Sequence, residues 1–179
     1  LSETIAFDPR SGDSLSPQKM NWHSNLSDPS GTPETIDNFL VKGVIGSGGM
    51  GRVSRGYDTR LDRDIAIKVM HPSRAKDDVS RKRFLRESKT AASINHPSIV
   101  TIYQIGEHDS LPYIAMQYID GPNLSEHRTQ SGGVIPVPEA VRIGREISEG
   151  LAAAHQKNLV HRDIKPDNIL LEGPEHHVQ

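Results

Sequence analysis

His161-Arg162-Asp163-Ile164-Lys165-Pro166-Asp167-Asn168, followed by the apolar run Ile169, Leu170 and Leu171, is the stretch on which the reading of this chain turns. A carboxylate (Asp163), an ammonium two residues on (Lys165) and an amide oxygen five residues on (Asn168) are packed into one short loop. All three suit the handling of a phosphoryl group. Taken singly, each would fit a charged turn between a helix and a strand, where Asp, Asn and Pro are common. The eight-residue string is far more specific than any of its members.

Working back from that loop, Ala140, Ile143, Ile147, Leu151 and Ala154 recur on one helical face as far as Lys157, with Pro138 and Glu139 at the start. Asn158 suits the left-handed position after the last turn. Leu124 to Gln130 reads as a short helix and Ser131-Gly132-Gly133 as a loop. Asp120-Gly121-Pro122-Asn123 is strong turn chemistry that marks a boundary. Strands are expected over 100–105 and 111–118, joined to an earlier helix by the turn His96-Pro97-Ser98, to which no chemistry is assigned.

That earlier helix, from about Asp77 to Ile94 with Asp77 or Asp78 as its cap, puts Phe84, Glu87, Ser88 and Ala91 on one face. Its basic residues Arg81, Lys82, Arg83, Arg86 and Lys89 read as a solvated face. Before it, Asp64 to Met70 alternates so that Ala66, Lys68 and Met70 share one side and Ile65, Ile67 and Val69 the other. A lysine flanked by apolar residues on a strand needs a partner. Upstream lies Gly46-Ser47-Gly48-Gly49-Met50-Gly51, between Phe39–Ile45 and Arg52–Tyr57. This glycine spacing serves either a dinucleotide-binding turn that opens a helix or a β-hairpin tip. Val53, Gly56 and Tyr57 suit a return strand, which favours the hairpin.

Residues 1–36 are rich in Ser, Pro, Asp and Gly, and their apolar members follow no period, so a disordered leader is expected, with Trp22 in a linker. A net charge of -2 over 179 residues gives no reason to expect nucleic acid as a partner. The absence of cysteine excludes disulfides and thiolate metal sites. No apolar run is long enough to span a bilayer, and the chain reads as an excerpt of a longer protein.

The loop His161–Asn168 resembles the catalytic loop of protein kinases, and three other signatures stand in that family's order: the glycine loop, Ile65-Ala66-Ile67-Lys68, and His96-Pro97-Ser98-Ile99-Val100. Lys165-Pro166 is similar to the serine/threonine-directed branch, and Gly-Gly-Met-Gly with the Ala-Ala pair after Glu87 looks bacterial. The resemblance covers 39–179 and implies an α+β fold. A small antiparallel N-lobe sheet with one helix (37–116) leads through a hinge (117–121) to the start of a mainly helical C-lobe (122–179).

The resemblance also implies residue roles. ATP would lie under Ile45, Gly46, Ser47, Gly48, Gly49, Met50 and Gly51, against Val53 and Ala66, with Met116 as gatekeeper and Gln117 and Ile119 offering main-chain groups to adenine. Lys68 would hold the phosphates and Glu87 would hold Lys68. Asp163 would orient the Ser or Thr hydroxyl of a protein substrate, Lys165 would balance charge, and Asn168 would bind Mg²⁺. A cytoplasmic catalytic domain is implied, with any membrane attachment lying in other parts of the parent chain. Asp-Phe-Gly, which carries the second metal ligand, does not occur in these residues, and His176-His177 reads as a polar hairpin tip. The excerpt alone is therefore expected to have little or no activity and to be poorly folded beyond Gly121. A pseudokinase, which binds nucleotide or a partner without catalysis, stays open as the alternative.

Overall fold

Period-two alternation of apolar residues is what builds the larger part of this molecule. The computed structural model describes residues 35–179, so the expected leader up to residue 34, Trp22 included, lies outside the described residues. Strands β1 (Thr35–Ile36), β2 (Phe39–Gly48), β3 (Gly51–Asp58), β4 (Arg63–Met70), β5 (Ile102–His108) and β6 (Leu111–Gln117) form one sheet in the order β1-β2-β3-β4-β6-β5. Every neighbouring pair is antiparallel.

One face buries Ile36, Phe39, Val41, Ile65, Ile67, Val69, Tyr113 and Ala115 as a single cluster. Phe39 and Tyr113 meet edge to face with ring centroids 6.3 Å apart, an arrangement that adds about 0.5–1.5 kcal/mol to area burial. The Tyr113 hydroxyl donates to the Asp37 carboxylate and accepts from Gln104 Nε2 at 2.6 Å, so this buried polar group is satisfied. Burial and then the Asp37 carboxylate push the phenol well above its ordinary range. The opposite face of β4 carries Ala66, Lys68 and Met70, as the alternation predicts.

Two short helices, α1 (Pro72–Ala75) and α2 (Asp78–Ala92), follow β4. Asp77 caps α2 by accepting from the Ser80 N–H at 3.0 Å. Helix α2 packs against β5, to which an ion pair between Arg81 and Glu107 ties it.

Beyond the sheet come α3 (Leu124–Gln130), α4 (Val137–Gln156), a 3-10 turn at Pro166–Asn168, and the hairpin β7 (Leu171–Glu172) and β8 (His177–Val178). Asn123 and Glu126 form a reciprocal capping box at the start of α3. Helix α4 ends where Asn158 takes a φ of 57°. Ile143, Ile169, Leu171 and Val178 make a second, smaller core with Leu124 and Ile147 against it.

This second unit is tied to the exit of the sheet. The Leu124 N–H donates to the Ile169 carbonyl at 2.9 Å and the Leu171 N–H to the Pro122 carbonyl at 3.0 Å. Gly121 permits that approach, since a Cβ there would lie 1.9 Å from the Leu171 carbonyl oxygen. The chain leaving β6 thus runs beside the chain leaving the 161–168 loop.

Three details depart from the sequence reading. The sheet begins at Thr35, because Ile36 pairs with Phe39 and is buried, so two residues assigned to the leader belong to the sheet. Strand β5 starts at Ile102 rather than Val100, and the segment before it packs on α4, where a Cβ on Gly150 would stand 2.9 Å from the Ser98 carbonyl oxygen. The segment after Gly121 has its own small core, while Val137 and Val141 on α4 stay 76% and 66% exposed. Among the described residues, no helix is long and apolar enough to cross a membrane.

Candidate active site

Strand register gathers the first half of the site. Val53 lies opposite Lys68, Gly46 opposite Val53, and Ala66 opposite Met116, and cross-strand partners share a face. Gly46, Val53, Ala66, Lys68 and Met116 therefore line one side of the sheet, away from the large core. Ile114, opposite Lys68, joins them. The sequence reading missed Ile114, although its spacing of two from Met116 carried the signal.

The glycine-rich segment is a hairpin tip, with Gly48 paired to Gly51 across Gly49 and Met50. Gly51 is required by the fold, because a Cβ there would fall 2.1 Å from the Val69 carbonyl oxygen. A Cβ on Gly46, Gly48 or Gly49 would meet nothing within 4 Å. Packing within the chain thus gives no reason for those three glycines. Ser47 is exposed, as are Ile45 (52%) and Met50 (69%) at the rim.

Burial lowers the affinity of the Lys68 ammonium for its proton, and the Asp163 carboxylate works in the opposite direction. The structure thus sets Lys68 and Asp163, far apart in the chain, within electrostatic reach of each other. Asp163 stands in a loop that closes on itself. Asn168 Nδ2 donates to the Asp163 carboxylate at 2.8 Å and to its carbonyl at 2.9 Å, while Lys165 Nζ lies 3.8 Å from the same carboxylate. Arg162, just before Asp163, holds a φ of 65°, a conformation in which a side chain other than glycine stores strain. The turn at Pro166–Asn168 returns Asn168 to Asp163 and leaves its amide oxygen as the spare acceptor.

One expected contact is not formed. Glu87, read as the counter-ion of Lys68, makes no ion pair or hydrogen bond among the described residues, and it is half-buried on α2. Helix α2 packs against β5 and β6, with Arg81 paired to Glu107 on β5, whereas Lys68 is on β4. Asp163 is the carboxylate that acts on Lys68 in this arrangement.

At the exit from β6 the two proposed adenine-facing residues differ. The Gln117 N–H already donates to the Thr101 carbonyl at 2.8 Å, and its side chain reaches Glu172 Oε1 at 3.4 Å. Ile119, a residue only 6% exposed, has no main-chain hydrogen bond among the described residues. Glu172 was not legible as a neighbour of this segment, since it arrives from β7.

Comparison with known proteins follows the same lines. Residues 39–179 match the family model described as the protein kinase domain. The serine/threonine-protein kinase PrkC of Bacillus subtilis is 46% identical over 134 residues, which cover 75% of this chain and 20% of that protein. The serine/threonine-protein kinase PknB of Mycobacterium leprae is 38% identical over 145 residues, covering 79% and 23%. The chain therefore spans about a fifth of the length of these curated relatives. The crystal structure of the Mycobacterium tuberculosis PknI kinase domain superposes with a TM-score of 0.71 at 34% identity, over 81% of this chain and 59% of that one. With its four sequence signatures in order, its antiparallel sheet formed, and a family model covering most of its length, this chain belongs to the protein kinase domain family.

Proposed function

We propose that this chain is part of the catalytic domain of a serine/threonine protein kinase, which moves the γ-phosphoryl group of ATP to Ser or Thr hydroxyls of a protein in the cytoplasm. The observation that carries the reading is the approach of a desolvated ammonium on β4, Lys68, to a carboxylate in a strained loop of the second unit, Asp163. A buried cation without a fixed partner is unfavourable by itself. A nucleotide polyphosphate would supply the missing anion.

The three glycines that the chain's own packing does not require support the same reading. Without a Cβ, Gly46, Gly48 and Gly49 let main-chain N–H groups come close to phosphate oxygens. Ile119 would offer its N–H and carbonyl to a base, with Ala66 and Met116 side by side on the sheet face next to it.

In this scheme Lys68 holds phosphate oxygens, Asp163 orients the acceptor hydroxyl and takes its proton late, and Lys165, close to Asp163, offsets charge on the migrating group. Asn168 fits a magnesium ion, since its amide nitrogen is committed to Asp163 and its oxygen is a hard donor. A bound magnesium ion would neutralise charge building up on the phosphoryl oxygens. Proton transfer by Asp163 supplies at most about 10²–10⁴ of the acceleration.

The separation of Lys68 from Glu87 favours, as a second reading, a module that holds nucleotide or a partner without catalysis. Radiolabelled transfer from ATP to a generic protein substrate by the full-length protein separates the two. Measurable transfer that Asp163→Asn reduces at least about 10²-fold supports the enzyme. Full retention of transfer in Asp163→Asn would remove the assignment, and ATP binding with no transfer would favour the module.

A further inference from the structure

Away from the site just described, two imidazoles and a carboxylate converge from three segments. His127 on α3 is 7% exposed, and its Nε2 lies 2.9 Å from Glu139 Oε1 in the first turn of α4. His176, in the β7–β8 turn, places Nδ1 3.7 Å from the same oxygen. The two rings stack at an angle with centroids 4.3 Å apart, and one ligand atom from each of the three residues falls within 4.8 Å of the others. Among the described residues, Glu139 has no ion-pair partner other than these two histidines.

Besides these contacts with one another, the two histidines are held by the scaffold. His127 sits in a helix fixed by the Asn123–Glu126 capping box. His176 adopts a φ of 53°, and its carbonyl accepts from Arg142 Nη2 at 3.1 Å. Arg142 also pairs with Glu146, which in turn accepts from the Val178 N–H at 2.8 Å, so both ends of β8 are pinned to α4. His176 thus differs from its neighbour His177, which keeps the role of a polar hairpin residue against Glu146 and Glu175.

We propose that His127, Glu139 and His176 bind a divalent transition-metal ion of the Zn²⁺ class. Two nitrogen donors and one carboxylate fit that ion and disfavour Mg²⁺ or Ca²⁺, which take oxygen. His176, one-third exposed, leaves the remaining coordination position to water. The consequence is mechanical. Helix α3 follows the hinge segment and β7 follows the 161–168 loop, so the ion would staple the two ends that flank the site. The inference stands apart from the kinase reading, because it uses none of that site's residues.

The test is Zn²⁺ binding to the metal-stripped full chain at neutral pH, measured by competition with a chromophoric chelator, with Co²⁺ absorption as a second readout. One Zn²⁺ per chain is expected, with low-micromolar or tighter affinity, weakened at least about tenfold in Glu139→Gln and His176→Asn and unchanged in His177→Asn. Both weakening variants alter partly exposed groups, and circular dichroism of the metal-free proteins checks that they fold. Two results would overturn the proposal: no stoichiometric binding, or binding that His177→Asn weakens as much as the other two do.

Discussion

At Lys68 the demands of folding and of the proposed chemistry oppose each other. Burial lowers the folded-state pKa of this lysine, and Asp163 only partly restores it. The charged form therefore destabilises the nucleotide-free fold at any pH below that lowered value, and the penalty fades as pH rises through it. Lys68→Met keeps the apolar stem and removes the charge. It should leave the denaturation midpoint unchanged or raise stability by about 1 kcal/mol, while reducing phosphoryl transfer at least about 10²-fold in the full-length protein. A midpoint that falls would mean that Asp163 fully compensates the ammonium. Glu146 behaves in the opposite sense. Burial pushes its carboxyl up, but the Val178 N–H, Arg142 and His177 outweigh it and hold the group below its ordinary value. Its contribution is thus present above the unfolded pKa and lost as pH falls through the lower folded one. Glu146→Gln should cost about 1–3 kcal/mol near neutral pH and flatten the acid limb of stability, as read from denaturant midpoints taken between about pH 7 and about pH 3.

The glycine hairpin separates the needs of the fold from those of a ligand. Gly51→Ala would drive a Cβ into the Val69 carbonyl and force β3 away from β4, so a loss of about 2 kcal/mol or more is expected in thermal or denaturant unfolding. Gly48→Ala meets open space. It should be neutral or stabilise by up to about 1 kcal/mol through the unfolded chain, yet weaken ATP binding measured by calorimetry. Equal loss of stability in both variants would contradict the assignment of Gly48 to a ligand. Helix α2 was legible as a helix from its Asp77 cap and its spacing, but its seat was not. It rests on β5 and β6, with Arg81 paired to Glu107, a meeting of elements whose relative position no local pattern encodes.

Across the whole molecule the two cores are unequal. The sheet cluster buries eight residues, whereas the cluster beneath the 161–168 loop buries four, with Val134, Val137, Val141, Val160 and Ile164 left exposed around it. Hydrogen exchange of the isolated chain should therefore show β2, β3, β4 and β6 protected longest and 122–179 opening first. Uniform protection across both parts would show that the small core suffices. The same chain should transfer little phosphate, because Asp-Phe-Gly is not among its residues.

Local information was enough wherever one residue's neighbours set its conformation. Alternation placed Ile65, Ile67 and Val69 opposite Lys68, Asp77 proved to be the cap of the two candidates and the Asn158 stop came out where expected, and the order of the motifs identified the fold. Contacts between distant segments were another matter. The separation of Glu87 from Lys68 and the meeting of His127, Glu139 and His176 arise when sheet, helices and hairpin pack. Charge and distance between such groups depend on how whole faces fit together, and a one-dimensional pattern does not hold that information.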